Sequence, residues 1–351
     1  MKIYFILLLV LLFNIFLETT FKNIRIFDYR IKLRDISFIV CFLLILSIGI
    51  FRHEELGVDV INYRSYFSNL YPNFSMKFFI TNHIYDPGYV LLNKIIALFT
   101  GNFRIFEVIV FCITFGIFSI IIYKDSKYPA LSFLIYSGLE FIGFNMCILR
   151  QSIACVLCFL AFRFLEKNKL IKYFILVLLA NSFHKTAIFF YLTYVLSYNR
   201  KKSISFKLNI IYILLSYLGF SMLLPKIYNL YSNNYSNVAV SGEGIKLLFF
   251  YAFIVIFIGV LLKKNKVNSE IMRYESSFGA IYIQMGAISF SLFTRVTNYF
   301  SILFTLSIPN IVYESKYRRL YIIIFTFIFS ALYIYGLFNN GLGVVPYKSF
   351  M

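Results

Sequence analysis

The chain has 351 residues, of which 60% are hydrophobic and only 14% charged, with a mean hydropathy of +0.79. Ordinary soluble domains carry roughly 25% charged residues, so this chain cannot cover a globule with polar surface. A net charge of +19 would point to nucleic acid in a soluble protein, but in a membrane protein Lys and Arg collect in cytoplasmic loops as a topology signal, and no nucleic-acid partner is expected.

Apolar runs that can span a bilayer fall, in chain order, near 3–17, 36–51, 105–123, 128–143, 147–165 and 171–183. They continue near 186–198, 207–224, 245–262, 276–293, 296–313 and 320–338. With about 20 apolar residues per span, the expected fold is all-α: a polytopic integral membrane protein of about 12 transmembrane helices in one domain over residues 1–351. Met1 to Leu17 runs into Glu18 and Phe21 rather than a small-residue cleavage site, so it reads as the first span. Residues 88–100 are apolar enough to enter the bilayer, but a full span there would invert the charge bias of everything that follows. We therefore read this segment as one interfacial or re-entrant helix opened by Pro87.

The connections Lys22 to Arg34, Lys124 to Lys127, Lys167 to Lys172, Arg200 to Lys207, Lys263 to Arg273 and Lys316 to Arg319 are basic, and with Arg163 they hold 22 of the 34 Lys and Arg. The positive-inside rule sends them to the cytoplasm. Both termini and two larger loops, near 52–87 and 225–244 and rich in Tyr and Asn, then face the other side. The five cysteines lie in apolar stretches with no His at metal-ligand spacing and read as small buried side chains; no metal site and no cofactor are expected.

In this topology Arg52, Arg150, His184 and Arg295 fall at the extracytoplasmic ends of helices, each against an apolar run. A charge at membrane depth costs several kcal/mol unless paired or hydrated, so such groups mark a ligand or a polar cavity. A guanidinium presents a fixed fork of donors matching phosphate oxygens. Each arginine also has a structural role open to it, snorkelling to the interface or pairing with a helix carboxylate such as Glu107 or Glu140. The polar entry Arg150-Gln151-Ser152 to an otherwise apolar helix is not needed for packing. His184 and Lys185 sit in a polar break between two half-length apolar runs, where irregular backbone is tolerated only around protein or water. Asp59, after the turn glycine Gly57, either caps a helix running through Tyr63 or offers a carboxylate to a sugar.

The ordered set Arg52, Gly57-Val-Asp59, Tyr63, Asp86-Pro-Gly88-Tyr89, Leu92-Asn93, Asn145 through Arg150-Gln151-Ser-Ile-Ala154, Lys172-Tyr173 and Phe183-His184-Lys-Thr-Ala187 resembles the EpsG family of Wzy-type exopolysaccharide and O-antigen polymerases. The likeness ends more weakly at Arg295 to Phe300 and Pro346-Tyr347. It implies a GT-C-like membrane glycosyltransferase at the outer face of the bacterial cytoplasmic membrane, joining oligosaccharide repeat units carried on undecaprenyl pyrophosphate. Membrane lipid and a chain-length regulator protein are the further partners implied. On that reading Arg150 and Arg295 stabilise the departing pyrophosphate, and His184 or Asp59 is the base. Arg52, Tyr63, Gln151, Lys185 and Tyr299 are the substrate-binding candidates. A flippase of lipid-linked sugar is the strongest rival from another class, although the chain shows one broken helix, at His184, and no matching half. A membrane polysaccharide ligase or acyltransferase is a second rival, using the same residue types.

Overall fold

A computed structural model describes residues 1–21, 23–26, 29–70, 85–197, 243–265, 267–289 and 293–350, with isolated positions 211, 214, 215, 218 and 219. The N-terminal half runs α1 (Lys2–Thr20), a hairpin of β1 (Asn23–Ile26) and β2 (Tyr29–Lys32), α2 (Leu33–Ile50), α3 (Val60–Leu70), α4 (Pro87–Ala97) and α5 (Phe103–Asp125). Next come α6 (Pro129–Gly138), α7 (Phe141–Cys147), α8 (Leu149–Glu166), α9 (Leu170–Phe183), a 3-10 segment (Lys185–Tyr191) and α10 (Leu192–Leu196). The C-terminal part holds α11 (Glu243–Asn265), α12 (Ile271–Ser289), α13 (Phe293–Ser301), α14 (Phe304–Glu314) and α15 (Arg318–Asn339). The chain is thus helical, apart from the short antiparallel hairpin pairing Asn23 with Lys32 and Ile26 with Tyr29, which the sequence expectation did not include.

Among the described residues five helices are long and apolar enough to cross a membrane (α1, α2, α5, α11 and α15), and the bent pair α6–α7 makes a sixth if it is one span. Their outward faces explain the solvent they need. On α15, Phe325, Phe329 and Tyr333 are buried, yet Ile323, Phe327 and Phe338 on the opposite side are exposed. A helix apolar all round, with one face packed and the other bare, is stable only where hydrocarbon covers the bare face. The molecule is a helical membrane protein.

Several sequence boundaries move. The run 128–143 is not one straight helix: α6 and α7 meet at 60°, because Glu140 takes a left-handed conformation (φ 61°) after Gly138 packs directly on the Phe329 backbone. The run 296–313 divides into α13 and α14, and 276–293 is displaced to α12. Pro87 does open a helix, α4, with Asp86 at its N-cap. Most of the run 207–224 and residues 225–242 of the second loop lie outside the described residues, as do 71–84 of the first loop.

Hydrogen bonds gather the helix ends into two poles. At one pole Arg34 donates to the Ser126 carbonyl, Glu18 accepts from the Ala130 and Leu131 amides, and Asn310 bridges the Asp125 carbonyl and Glu270. Arg273 there grips Glu166 at 2.7 Å and Glu270 at 2.8 Å, while Arg163 pairs with Asp125. These bonds join described residues in or beside the basic connections at this pole, and the Lys316 amide donates there to Asn265 Oδ1. The other pole holds the candidate site. Its cover is the C-terminal segment 340–350, where Tyr4 Oη donates to the Val344 carbonyl (2.9 Å), Tyr347 Oη to the Ile48 carbonyl (3.0 Å) and the Val58 amide to the Leu342 carbonyl (3.2 Å).

Two glycines make that cover fit. Gly57 has φ 117° and Gly343 φ 67°, and a Cβ on Gly57 would stand 3.1 Å from the Cys147 Cα. Left-handed backbone costs an L side chain about 1–2 kcal/mol. Gly57→Ala is therefore expected to destabilise the protein by at least about 1–2 kcal/mol, read as a lower unfolding temperature of the detergent-solubilised protein, with Gly116→Ala, where nothing lies within 4 Å of a new Cβ, as the silent control.

Candidate functional site

α8 runs through the middle of the bundle, with Gln151, Ser152 and the apolar residues from Ile153 to Val156 all buried. Arg150 stands in its first turn, so its side chain emerges at the site pole. Its Nη1 lies 3.2 Å from Asp86 Oδ2, and its guanidinium carbon sits 4.5 Å over the Tyr85 ring and 6.0 Å over that of Tyr63. Tyr63, Tyr85 and Tyr89 pack edge to face around it, with centroids 5.5 to 5.7 Å apart. The tyrosine cage fixes the plane of the guanidinium, and Asp86 engages one of its nitrogens.

Asp86 reaches this place through close helix packing. Gly88, two residues on, lets α4 lie directly against α9: a Cβ there would come within 2.3 Å of Ser182 Oγ and 2.9 Å of the Ser182 backbone. Burial pushes the Asp86 carboxyl above the usual carboxylate range, opposed first by the Arg150 guanidinium and then by Lys185.

His184 ends α9, its amide donating to the Ala180 carbonyl at 3.0 Å. Its Nδ1 is 2.6 Å from Thr186 Oγ1, which is 3.1 Å from Tyr299 Oη of α13. Through Thr186 and Tyr299 it is tied to α13, the helix that also carries Arg295. The bend seen in the sequence at His184 is thus a turn that ties the ring to a buried hydroxyl relay.

Arg295 comes from α13. Its carbonyl accepts from Gln151 Nε2 at 2.8 Å, and its Nη1 stands 3.4 Å from Asp59 Oδ2 with the side chain about half exposed (45%). Asp59 follows the strained Gly57 and the Val58 amide held by the C-terminal segment, so the cover that closes the pole also sets the carboxylate facing Arg295.

The structure thus brings Asp59, Tyr63, Arg150, Gln151, His184, Lys185, Arg295 and Tyr299 to one pole and links them through contacts. It sets Arg52 apart. That side chain is 1% exposed: Nη2 pairs with Glu107 Oε1 at 2.6 Å, Nη1 donates to the Leu56 and Met146 carbonyls, and the Arg52 carbonyl itself accepts from Arg104. Its donors are consumed inside the fold, which is the structural alternative that pairs it with Glu107. Sequence reasoning left two contributors out of the candidate set. Asp86 carried a signal, an acidic N-cap before Pro87 in a chain with only 15 acidic residues; Thr186 carried none, since its role depends on a residue 113 positions away.

Apolar outer faces around a pole that holds two arginines, a histidine and two carboxylates define a membrane protein with a charged cluster at one end of its bundle. A sequence model of the EpsG family matches residues 35–349. The chain belongs to the EpsG family, whose members are Wzy-type polysaccharide polymerases. Searches of curated proteins and of solved structures give no significant match.

Proposed function

We propose that this protein polymerises oligosaccharide repeat units carried on undecaprenyl pyrophosphate, at the extracytoplasmic face of the bacterial cytoplasmic membrane, to build an O-antigen, capsule or exopolysaccharide. The observation that carries the proposal is that Gln151, next to Arg150, bonds the Arg295 carbonyl of α13 while His184 reaches Tyr299 of the same helix through Thr186, all at one pole of an EpsG-family membrane bundle. The basic pole supports a multi-pass topology with that pole in the cytoplasm; the five or six helices long and apolar enough to span among the described residues do not carry the count to about 12.

In the reaction a sugar hydroxyl of one lipid-linked unit attacks the anomeric carbon of the growing chain on another. The new glycosidic C–O bond forms as the bond to the lipid pyrophosphate breaks, the hydroxyl proton passes to a base, and pyrophosphate leaves with the bonding electrons. Charge develops on that leaving group. Arg150, planar between its tyrosines, and Arg295 supply the fork geometry that stabilises it, so the transfer needs no metal. Thr186 occupies His184 Nδ1, leaving Nε2 to accept the proton or to bond the pyrophosphate; Asp59, displaced from Arg295 by the incoming phosphate, is the other base.

Deleting the gene is expected to leave surface material capped with single repeat units, and complementation with wild type to restore the ladder of long chains on a gel. His184→Ala at matched membrane levels is expected to cut polymer by about 10²–10⁴-fold, the usual worth of a positioned acid or base. A ladder that survives deletion, or the loss of all repeat units from the surface, is incompatible with polymerisation and favours, for the latter, a flippase. Tyr299→Phe keeps the packing and removes the hydroxyl facing Thr186; a few-fold slower polymerisation with unchanged protein level is expected, about 1 kcal/mol for one hydrogen bond.

A further inference from the structure

The polymerase reading requires two lipid-linked substrates, and the Arg150 cluster is one site. A second chamber lies on the other side of α13. It is a cavity of about 440 Å³, whose polar lining includes Lys246 of α11, Glu140 at the α6–α7 bend and Thr294, Arg295 and Asn298 of α13. Residues 294, 295 and 298 share one face of that helix, while Val296, Thr297, Tyr299 and Phe300 are buried. A helix inside a membrane protein turns a polar face only toward protein, water or a ligand. The rest of the wall is apolar, with Phe144, Ile148, Leu247, Phe250 and Leu332. Flanking it, Phe249 and Phe253 of α11 and Phe338 of α15 are exposed on the outer surface.

The geometry points to this chamber as a second lipid-phosphate site, which takes the phosphate headgroup of the acceptor unit against Lys246 and Arg295 while its long apolar chain lies along the α11–α15 surface. Lys246 and Arg295 give two cations to one acid, Glu140, so the chamber attracts an anion. The Arg150 cluster holds His184 and Asp59 and is the reacting end; the Lys246 chamber offers no imidazole and suits the phosphate that is not cleaved. Arg295 borders both chambers, in contact with Asp59 on one side and lining the cavity on the other. This inference rests on the polymerase reading.

The test uses the full-length protein in detergent with undecaprenyl phosphate as the probe, read by native mass spectrometry, alongside polymerisation in cells. Wild type is expected to bind two equivalents. Lys246→Ala is expected to weaken one of them by about tenfold or more, the worth of one charge-assisted hydrogen bond, whereas Lys246→Arg retains both and controls for folding. Arg150→Ala is expected to weaken the other equivalent only. Two equivalents bound undiminished by Lys246→Ala overturn the second site, and so does displacement of the probe from that site by phosphatidylglycerol at equal concentration, which makes it a seat for bilayer lipid. Both results leave the polymerase reading standing if deletion of the gene still abolishes the polymer ladder; a ladder that survives deletion overturns that reading instead.

Discussion

Arg150→Ala is expected to lower polymerisation by about 10²–10³-fold, the loss that follows removal of one preorganised donor from a developing negative charge, with the protein remaining at wild-type level in the membrane. The reason lies in how little else Arg150 does. Its partner Asp86, 9% exposed, is already pushed by burial toward its neutral form, so it can stay protonated once the guanidinium is gone, and the fold survives while the site loses its most rigid cation. Arg150→Lys keeps the charge but not the planar fork, nor the same stacking on Tyr85, and is expected to recover only a minor part of the activity. Polymer length on a gel, at membrane levels matched by immunoblot, checks both. An Arg150→Ala protein that polymerises normally removes Arg150 from the chemistry.

Arg52→Ala is expected to fail in the opposite way, through folding. Both side chains of the Arg52–Glu107 pair are 2% exposed, and breaking a buried pair by removing one partner costs about 3–5 kcal/mol because the other charge is left unsolvated. Domains are stable by about 5–15 kcal/mol in total, so the variant should be depleted from the membrane or unfold well below wild type. Replacing both partners at once, Arg52→Met with Glu107→Leu, removes the stranded charge and is expected to restore part of the protein. It restores only part, since the Leu56 and Met146 carbonyls also lose their donor. Thermal unfolding of the solubilised wild type and the two variants separates this from a substrate role, for which Arg52→Ala would be stable and inactive.

The membrane class, the first two spans, α5, α8, α9, α11 and α15 were legible in the sequence because apolar composition and length are local properties. The start of α4 was legible through Pro87, which opens it. The bend at Glu140 was not: it depends on Gly138 meeting the Phe329 backbone from α15, a contact between residues far apart in the chain. The break that creates α13 was hidden for a related reason. Thr294, Arg295 and Asn298 are polar because they line the cavity, Thr297 because it bonds Gln284 of α12, and a hydropathy average over the whole run conceals them. Of the four helix-end charges, three gather and one does not. Sequence placed Arg52 at the same pole, but only the fold shows that Glu107 reaches it first.

Reconstitution tests the central claim most directly. The purified full-length protein, placed in vesicles with undecaprenyl-pyrophosphate-linked repeat units as its sole substrate, is predicted to release undecaprenyl pyrophosphate and to yield a ladder of lipid-linked oligomers, and Arg150→Ala in the same vesicles is predicted to yield none. Single units that remain single with the wild-type protein, or that merely change leaflet, would contradict the account.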